Sequence, residues 1–423
     1  MADGAVVRPR PSRQVSSVRR LEGSGPLTPS APPPTPPSAF RSLPPTAEVV
    51  IIGGGVMGTS IAFHLAEAGV RDIVVVERGA LGGSSGKPIG GVRAQFSDPL
   101  NIELGQRSLR AFRDFPRRPG ARIGLDSVGY LFLLTDPRQV ADFEGSVRTQ
   151  HELGVPSRML GPEEARTLCP YLRTDGLLAA AHSPADGHAR PALVVQGYAR
   201  AAALSGAVLA PYTTVTGMDL AGDRVTVVHT DRGPVSCGTV VCAAGAWSAG
   251  IGSMAGVGLP VRPLKRQLAF TVPLAPAAPR VPFTIDFASS AYFHNSDDGL
   301  LLGLADPRQP EGFDTTWTPQ WLGLFRAAMR RRAPAVARME TCGGWAGLYE
   351  VTPDHNALIG RCATVPNFLY ATGFSGHGFL QAPAVGEVVR DLHLGRRPCV
   401  DITPFGADRF GTGYAGRAEA HVV

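Results

Sequence analysis

Val49-Val50-Ile51-Ile52-Gly53-Gly54-Gly55-Val56-Met57-Gly58 is the stretch whose reading decides the fold. A β-branched apolar run reaches glycine at 53, 55 and 58, and residues 59–69 then read as a helix. Gly-x-Gly-x-x-Gly between a strand and a helix is the pattern of a dinucleotide site. The tight turn needs positive φ, which glycine adopts cheaply. The second glycine lets a pyrophosphate approach the backbone, and the third lets helix and strand pack closely. The helix start then offers free N–H groups and a partial positive charge to the phosphates. A second strand, residues 73–76, ends at Glu77, which lies 77 − 55 = 22 residues beyond the second glycine. That is close to the ~20 at which a carboxylate grips ribose hydroxyls. An acid at this place argues against a 2′-phosphorylated ribose.

The chain has 423 residues, more than one ordinary core, so two interlocked domains are expected. Hydrophobic content of 44% with 18% charged residues is that of a soluble globular protein. Of the net charge of +6, residues 1–45 carry six arginines against Asp3 and Glu22, or +4. The remaining +2 leaves no nucleic-acid footprint on the body. Residues 1–45 are rich in Pro, Ser, Ala and Arg and read as a disordered extension. No run approaches the ~20 apolar residues of a membrane span. Six cysteines at 169, 237, 242, 342, 362 and 399 lack metal spacing, so reduced thiols in a cytoplasmic protein are expected.

After Glu77, residues 79–98 form a Gly/Ser-rich segment with two cations, Lys87 and Arg93, placed to run along a bound cofactor. Helical periodicity follows over 100–115, and the strand-like 129–134 begins a different region, with helices at 137–153 and 162–168. Another helix spans 191–204, and a strand spans 224–228. Thr239-Val240-Val241-Cys242-Ala243-Ala244-Gly245-Ala246-Trp247-Ser248 then repeats the grammar of a strand entering a small-residue turn. A second turn of this kind usually sits beside the same pyrophosphate. The nucleotide-binding part is therefore interrupted. Residues 259–349 read as mostly β with a helix at 321–332, and a third glycine-punctuated turn arrives at Gly373-Phe374-Ser375-Gly376-His377-Gly378. The expected fold is α/β: 46–120, 185–258 and 350–405 bind the cofactor, 121–184 and 259–349 bind substrate, and 406–423 form a flexible tail.

These residues, with Trp345-Ala346-Gly347-Leu348-Tyr349 and Thr352-Pro353-Asp354, resemble the FAD-dependent amine and amino-acid oxidoreductases of the D-amino-acid oxidase superfamily. The resemblance covers about residues 47–405 and is nearest the sarcosine oxidase branch. That branch holds the monomeric enzyme, the β subunit of the heterotetrameric one and a mitochondrial complex I assembly protein. It implies a Rossmann-like FAD-binding domain interwoven with a β-rich, mixed-sheet substrate domain. It also implies oxidation of a C–N bond of an amino acid or of a secondary or N-methyl amine, with electrons passing to O₂ or another acceptor. The implied cofactor residues in the first part of the chain are Gly53, Gly55, Val56, Met57, Gly58, Glu77, Arg78, Ser84, Ser85, Lys87, Gly90 and Gly91. In the later part they are Val215, Ala244, Gly245, Trp247, Gly347, Gly373, Phe374, Ser375, Gly376, Gly378 and Phe379. Arg93 matches an arginine that holds the substrate carboxylate, a task suited to a two-pronged guanidinium. Tyr349 falls where that branch has an active-site tyrosine.

The chain also departs from the family. The flavin-tethering cysteine of the monomeric enzyme corresponds to Gly347, and the tethering histidine of dimethylglycine dehydrogenase corresponds to Lys87. Non-covalent FAD is therefore expected. The lysine that partners the carboxylate-binding arginine is Leu380 here. Oxidation of a 2-hydroxy acid and a non-catalytic assembly role are the alternatives. Among the histidines, His64 reads as a packing residue and His355 as a turn residue. Tyr292 and His294 share a strand face, either lining the substrate cavity or half-exposed. His377 begins a helix, as a flavin or substrate contact or as a cap.

Overall fold

The computed structural model describes residues 43–86, 89–411 and 418–422. Lys87 and most of the expected N-terminal extension lie outside the described residues.

The apolar run around Ile51 becomes the strand Thr46–Ile52, in which Val49, Val50 and Ile51 have no exposed surface. Strands covered on both faces carry continuous rather than alternating apolar residues, and here the neighbours are parallel. Thr46–Ile52 pairs in parallel with Ile73–Val76 on one side and Val235–Cys242 on the other. The sheet extends through Val208–Ala210 at one end and Phe368–Thr372 with Leu358–Arg361 at the other. An antiparallel hairpin, Val215–Ala221 with Arg224–Thr230, branches off it. The helices Val56–Glu67, Pro191–Leu204, Pro99–Asp114 and Gly378–His393 cover one face. Asp98 caps Pro99–Asp114, its side chain accepting from the amides of Leu100 and Asn101.

The second sheet also has eight strands, in the order 341–351, 262–271, 299–304, 291–296, 283–286, 130–134, 179–183, 158–160. Successive side chains on a strand point to opposite faces. Leu131 and Leu133 accordingly join the core under the helix Trp321–Arg332, while Tyr130, Phe132 and Leu134 face the other way with Phe283, Ile285 and Tyr292. Both faces are apolar, so alternation in sequence does not reveal which one meets the site. The strands over 158–160, 179–183 and 187–188 and the full extent of Thr341–Val351 escape the sequence reading; the first three are only two to five residues long.

The expectation of a flexible tail over 406–423 is corrected where the chain is described. Arg409 is buried and pairs with both oxygens of Asp354, at 2.8 and 2.9 Å. Glu419 is 2% exposed and His421 1%. The anchors are polar contacts to residues more than 50 or 300 positions away, which leave no apolar periodicity to read.

Candidate active site

Three strand-to-helix turns converge on one cavity of about 1030 Å³. That is at the upper end of the ~300–1,000 Å³ usual for cofactor sites. The first turn lines it with Gly53, Gly55, Val56 and Met57, the second with Ala244, Gly245 and Trp247, and the third with Gly376, Gly378 and Phe379. Glu77, Arg78, Ser84, Ser85 and Val215 complete the candidate residues on its walls.

The glycines of the first turn have distinct reasons. Gly53 has φ +114°, and a Cβ there would sit 2.2 Å from the Ala243 carbonyl oxygen. At Gly58 a Cβ would meet the Gly53 carbonyl at 1.8 Å, so this residue packs beneath the turn rather than on the cavity wall. At Gly55 only the Ser85 hydroxyl, a movable group, stands within 3 Å. The fold itself demands Gly53 and Gly58; the open approach at Gly55 serves whatever lies in the cavity. Glu77 accepts from the Gly54 amide through Oε2 and from the Gly79 amide through Oε1, both at 2.8 Å. Each oxygen retains capacity for a ligand hydroxyl. An acidic, glycine-cradled cavity of this length fits an extended dinucleotide whose phosphates meet the start of helix Val56–Glu67.

Several candidates lie elsewhere. Gly347 borders neither cavity of the site. Gly373, Phe374 and Ser375 lie behind the third turn: Phe374 is a core residue, and the Ser375 hydroxyl accepts from the Thr352 amide at 3.2 Å. Gly91 gives way to a protein group, since a Cβ there would fall 1.8 Å from the Tyr130 hydroxyl. At Gly90, φ is +82°, and a Cβ would collide with the Ala189 carbonyl.

A second cavity, about 60 Å³, opens beyond the third turn and is bounded by Gly90, Gly91, Arg93, Tyr130, Tyr292 and His377, among others. Tyr349, Gly376 and Phe379 border both spaces, so the two meet there. Burial raises the hydroxyls of Tyr130, Tyr292 and Tyr349, which stay neutral phenols. The Arg266 guanidinium stacks over the Tyr349 ring, 5.1 Å from its centroid.

Arg93 is 3% exposed. Nη1 donates to the Gln95 carbonyl, and Nη2 donates to His377 Nε2 at 3.1 Å and to the His421 carbonyl at 2.6 Å. An arginine only donates, so His377 Nε2 is the unprotonated nitrogen and the proton sits on Nδ1. Burial, with the Arg93 charge beside it, lowers His377 to about 3, and the ring is neutral. His377 stands at the N-cap position of Gly378–His393, but its side chain makes no cap bond.

His294 stands behind this cavity rather than in it. Its Nε2 meets the Ile89 carbonyl at 2.9 Å, and its ring stacks on His188, holding the wall formed by residues 89–91. Tyr292, two residues earlier, reaches the space itself. His64 is a packing residue, 1% exposed with Nδ1 2.8 Å from the Ser60 carbonyl.

Residues the sequence reading did not single out also shape the site. Tyr130 and Phe283 stack at 4.3 Å on its β wall. Glu350 lines the large cavity and accepts from Thr372 Oγ1 at 2.8 Å and the Gly373 amide at 3.0 Å. Burial pushes its carboxyl up to about 7. Its place beside Tyr349 in a Gly-Leu-Tyr-Glu run was the available signal. Phe313, half exposed, stacks on Trp247 over the large cavity, and Arg78 covers the Trp247 ring at 4.2 Å. Nothing in the local sequence marks that contact.

Fold and cavity together define a dinucleotide-binding α/β protein. Residues 48–392 match the family model described as DAO, FAD dependent oxidoreductase, and the chain belongs to that family. It is 29% identical over 385 residues to mitochondrial dimethylglycine dehydrogenase of Mus musculus, covering 86% of this chain and 44% of that protein. The chain thus spans less than half the length of that relative. Over 432 residues it is 31% identical to FAD-dependent oxidoreductase domain-containing protein 1 of Bos taurus, covering 90% of this chain and 88% of the other. Among solved structures, L-proline dehydrogenase from P. horikoshii superposes with a TM-score of 0.81 at 33% identity, covering 88% of this chain and 99% of that one. These relatives place the chain near the sarcosine oxidase-like branch. No helix among the described residues is long and apolar enough to cross a membrane.

Proposed function

We propose that this chain oxidises the C–N bond of a small amino acid or N-methyl amine, with FAD held non-covalently in the large cavity. The observation that carries the reading is the meeting of the two cavities at Tyr349 and Gly376, with a buried cation, Arg93, on the small side. Bound FAD supplies the hydride acceptor for a C–H bond next to nitrogen. The protein's part is positional. The space of about 60 Å³ admits only a small substrate, held between largely aromatic and apolar walls. The Arg93 charge favours an anionic substrate group. The neutral His377, accepting from Arg93, holds that guanidinium in place. Three neutral phenols leave the small cavity without a second charge of their own. Among the described residues Tyr349 adjoins both spaces and carries a hydroxyl able to orient the amine.

The names of the relatives, dimethylglycine dehydrogenase and L-proline dehydrogenase, support an amine that also carries a carboxylate. The cofactor domain of this reading comprises 46–120, 185–258 and 350–405, and the substrate domain 121–184 and 259–349. Six free cysteines, two of them exposed, support a reducing compartment such as the cytoplasm. The acceptor is O₂ or another oxidant. An anaerobic screen following loss of flavin absorbance tests the proposal. Bleaching by dimethylglycine, sarcosine or proline is the expected result. Bleaching by 2-hydroxy acids alone would overturn it.

A further inference from the structure

The segment 418–422 closes over Arg93. The Glu419 carboxylate accepts from Ser97 N at 3.0 Å, Ser97 Oγ at 2.8 Å, Asp98 N at 3.1 Å, Asn101 Nδ2 at 3.0 Å and His421 N at 2.9 Å. These donors surround the start of the helix Pro99–Asp114, whose partial positive charge favours a carboxylate. Two residues on, the His421 carbonyl takes an Nη2 proton of Arg93. The His421 ring stacks on Phe143 with centroids 4.0 Å apart and packs against Phe132 and Phe287. Phe132 also lies beneath the Arg93 guanidinium. The segment is thus built into the aromatic wall behind the small cavity.

The geometry conflicts with a two-pronged carboxylate grip. A guanidinium offers two planar forks, end-on through Nη1 and Nη2 and side-on through Nε and Nη2, and both use an Nη2 proton. Here one Nη2 proton goes to His377 and the other to His421. The three described acceptors around Arg93, two carbonyls and a neutral imidazole, carry no full charge. A buried guanidinium bonded only to neutral groups gains by exchanging a carbonyl for a carboxylate.

We propose that residues 418–422 are a strap that occupies the anion subsite at Arg93 with the chain's own His421 carbonyl, and that small carboxylates bind by displacing it. The proposal rests on the reading of Arg93 as the anion-binding residue. Displacement frees one Nη2 proton and restores a fork. It also withdraws Glu419, the nearby negative charge, so that the incoming anion replaces it.

The test is amide hydrogen exchange on the FAD-loaded full chain with and without saturating acetate. Beside it, acetate is titrated calorimetrically into the full chain and into a chain ending at residue 417. The strap predicts faster exchange in the 418–422 peptide when acetate binds, and at least tenfold tighter acetate binding by the shortened chain. Glu419→Gln, which keeps the length, moves affinity in the same direction. Acetate binding of equal strength in both chains with unchanged exchange makes the segment a fixed wall and overturns the strap alone. Absence of binding in either chain removes the anion subsite, and the strap with it. Should the shortened chain not fold, the exchange measurement on the full chain decides.

Discussion

Replacing Glu77 by glutamine tests whether this carboxylate shapes the cofactor site through the backbone as well as through a ligand. Its two oxygens accept from Gly54 N and Gly79 N, each at 2.8 Å. Glutamine offers one acceptor oxygen and one NH₂ group, so one backbone N–H must face another donor. A hydrogen bond to a charged group contributes about 1.5–3 kcal/mol. In the empty cavity, water replaces the lost partner, because Glu77 is only half buried. With FAD bound, water is excluded and the loss is felt in full. Glu77→Gln is therefore expected to weaken FAD binding by ~10- to ~150-fold, with 1.36 kcal/mol per decade. The apoprotein's melting temperature should barely move. Titrating apoprotein with FAD by fluorescence quenching and melting both apo forms supplies the two numbers. Wild-type FAD affinity in the variant would refute the reasoning and move the ribose site elsewhere.

Gly55→Ala should fold normally and lose FAD, because only the movable Ser85 hydroxyl opposes a Cβ there; Gly53→Ala should fail to fold, with φ +114° and a carbonyl at 2.2 Å. Circular dichroism and flavin content after gel filtration separate the two, and a poorly folded Gly55→Ala would contradict the cradle. Arg93→Lys keeps the charge but loses the fork, so kcat/KM should fall of order 10²-fold, about 2.7 kcal/mol, with normal flavin content; near wild-type kinetics would make Arg93 purely structural. Burial lowers His64 to about 4 from an ordinary 6.5. Between those values the unfolded chain binds a proton that the folded chain does not, so this contribution is full above pH 6.5 and is lost as pH falls towards 4. His64→Gln should therefore remove about 2 kcal/mol of the stability lost between pH 7 and 5, read from denaturant midpoints; identical pH slopes would exclude the effect. Acid precipitation should leave the flavin in the supernatant, and a yellow pellet would show a covalent link.

By itself the sequence determined the nucleotide half of this protein. Gly53, Gly55, Gly58 and Glu77 are read from spacing because the constraints on them are local: a turn's φ, a helix start, a strand end. The helices over 99–114, 137–152 and 191–204 follow from periodicity within their own residues. Resemblance carried the reading as far as Arg93, Tyr349 and His377, yet it did not tell which glycines face the cavity and which make room for Tyr130 or Ala243. Only the tertiary structure decided that Tyr292 reaches the small cavity while His294 braces its wall, since both lie on one strand face and differ in what packs against them. The same holds for the two apolar faces of the second sheet, which alternate identically in sequence. The tail differed most. Glu419 meets Ser97 across 322 residues, and His421 meets Arg93 across 328. Such contacts are set by how two sheets and four helices close around the site, and hydrogen bonds between distant polar residues impose no period on the chain.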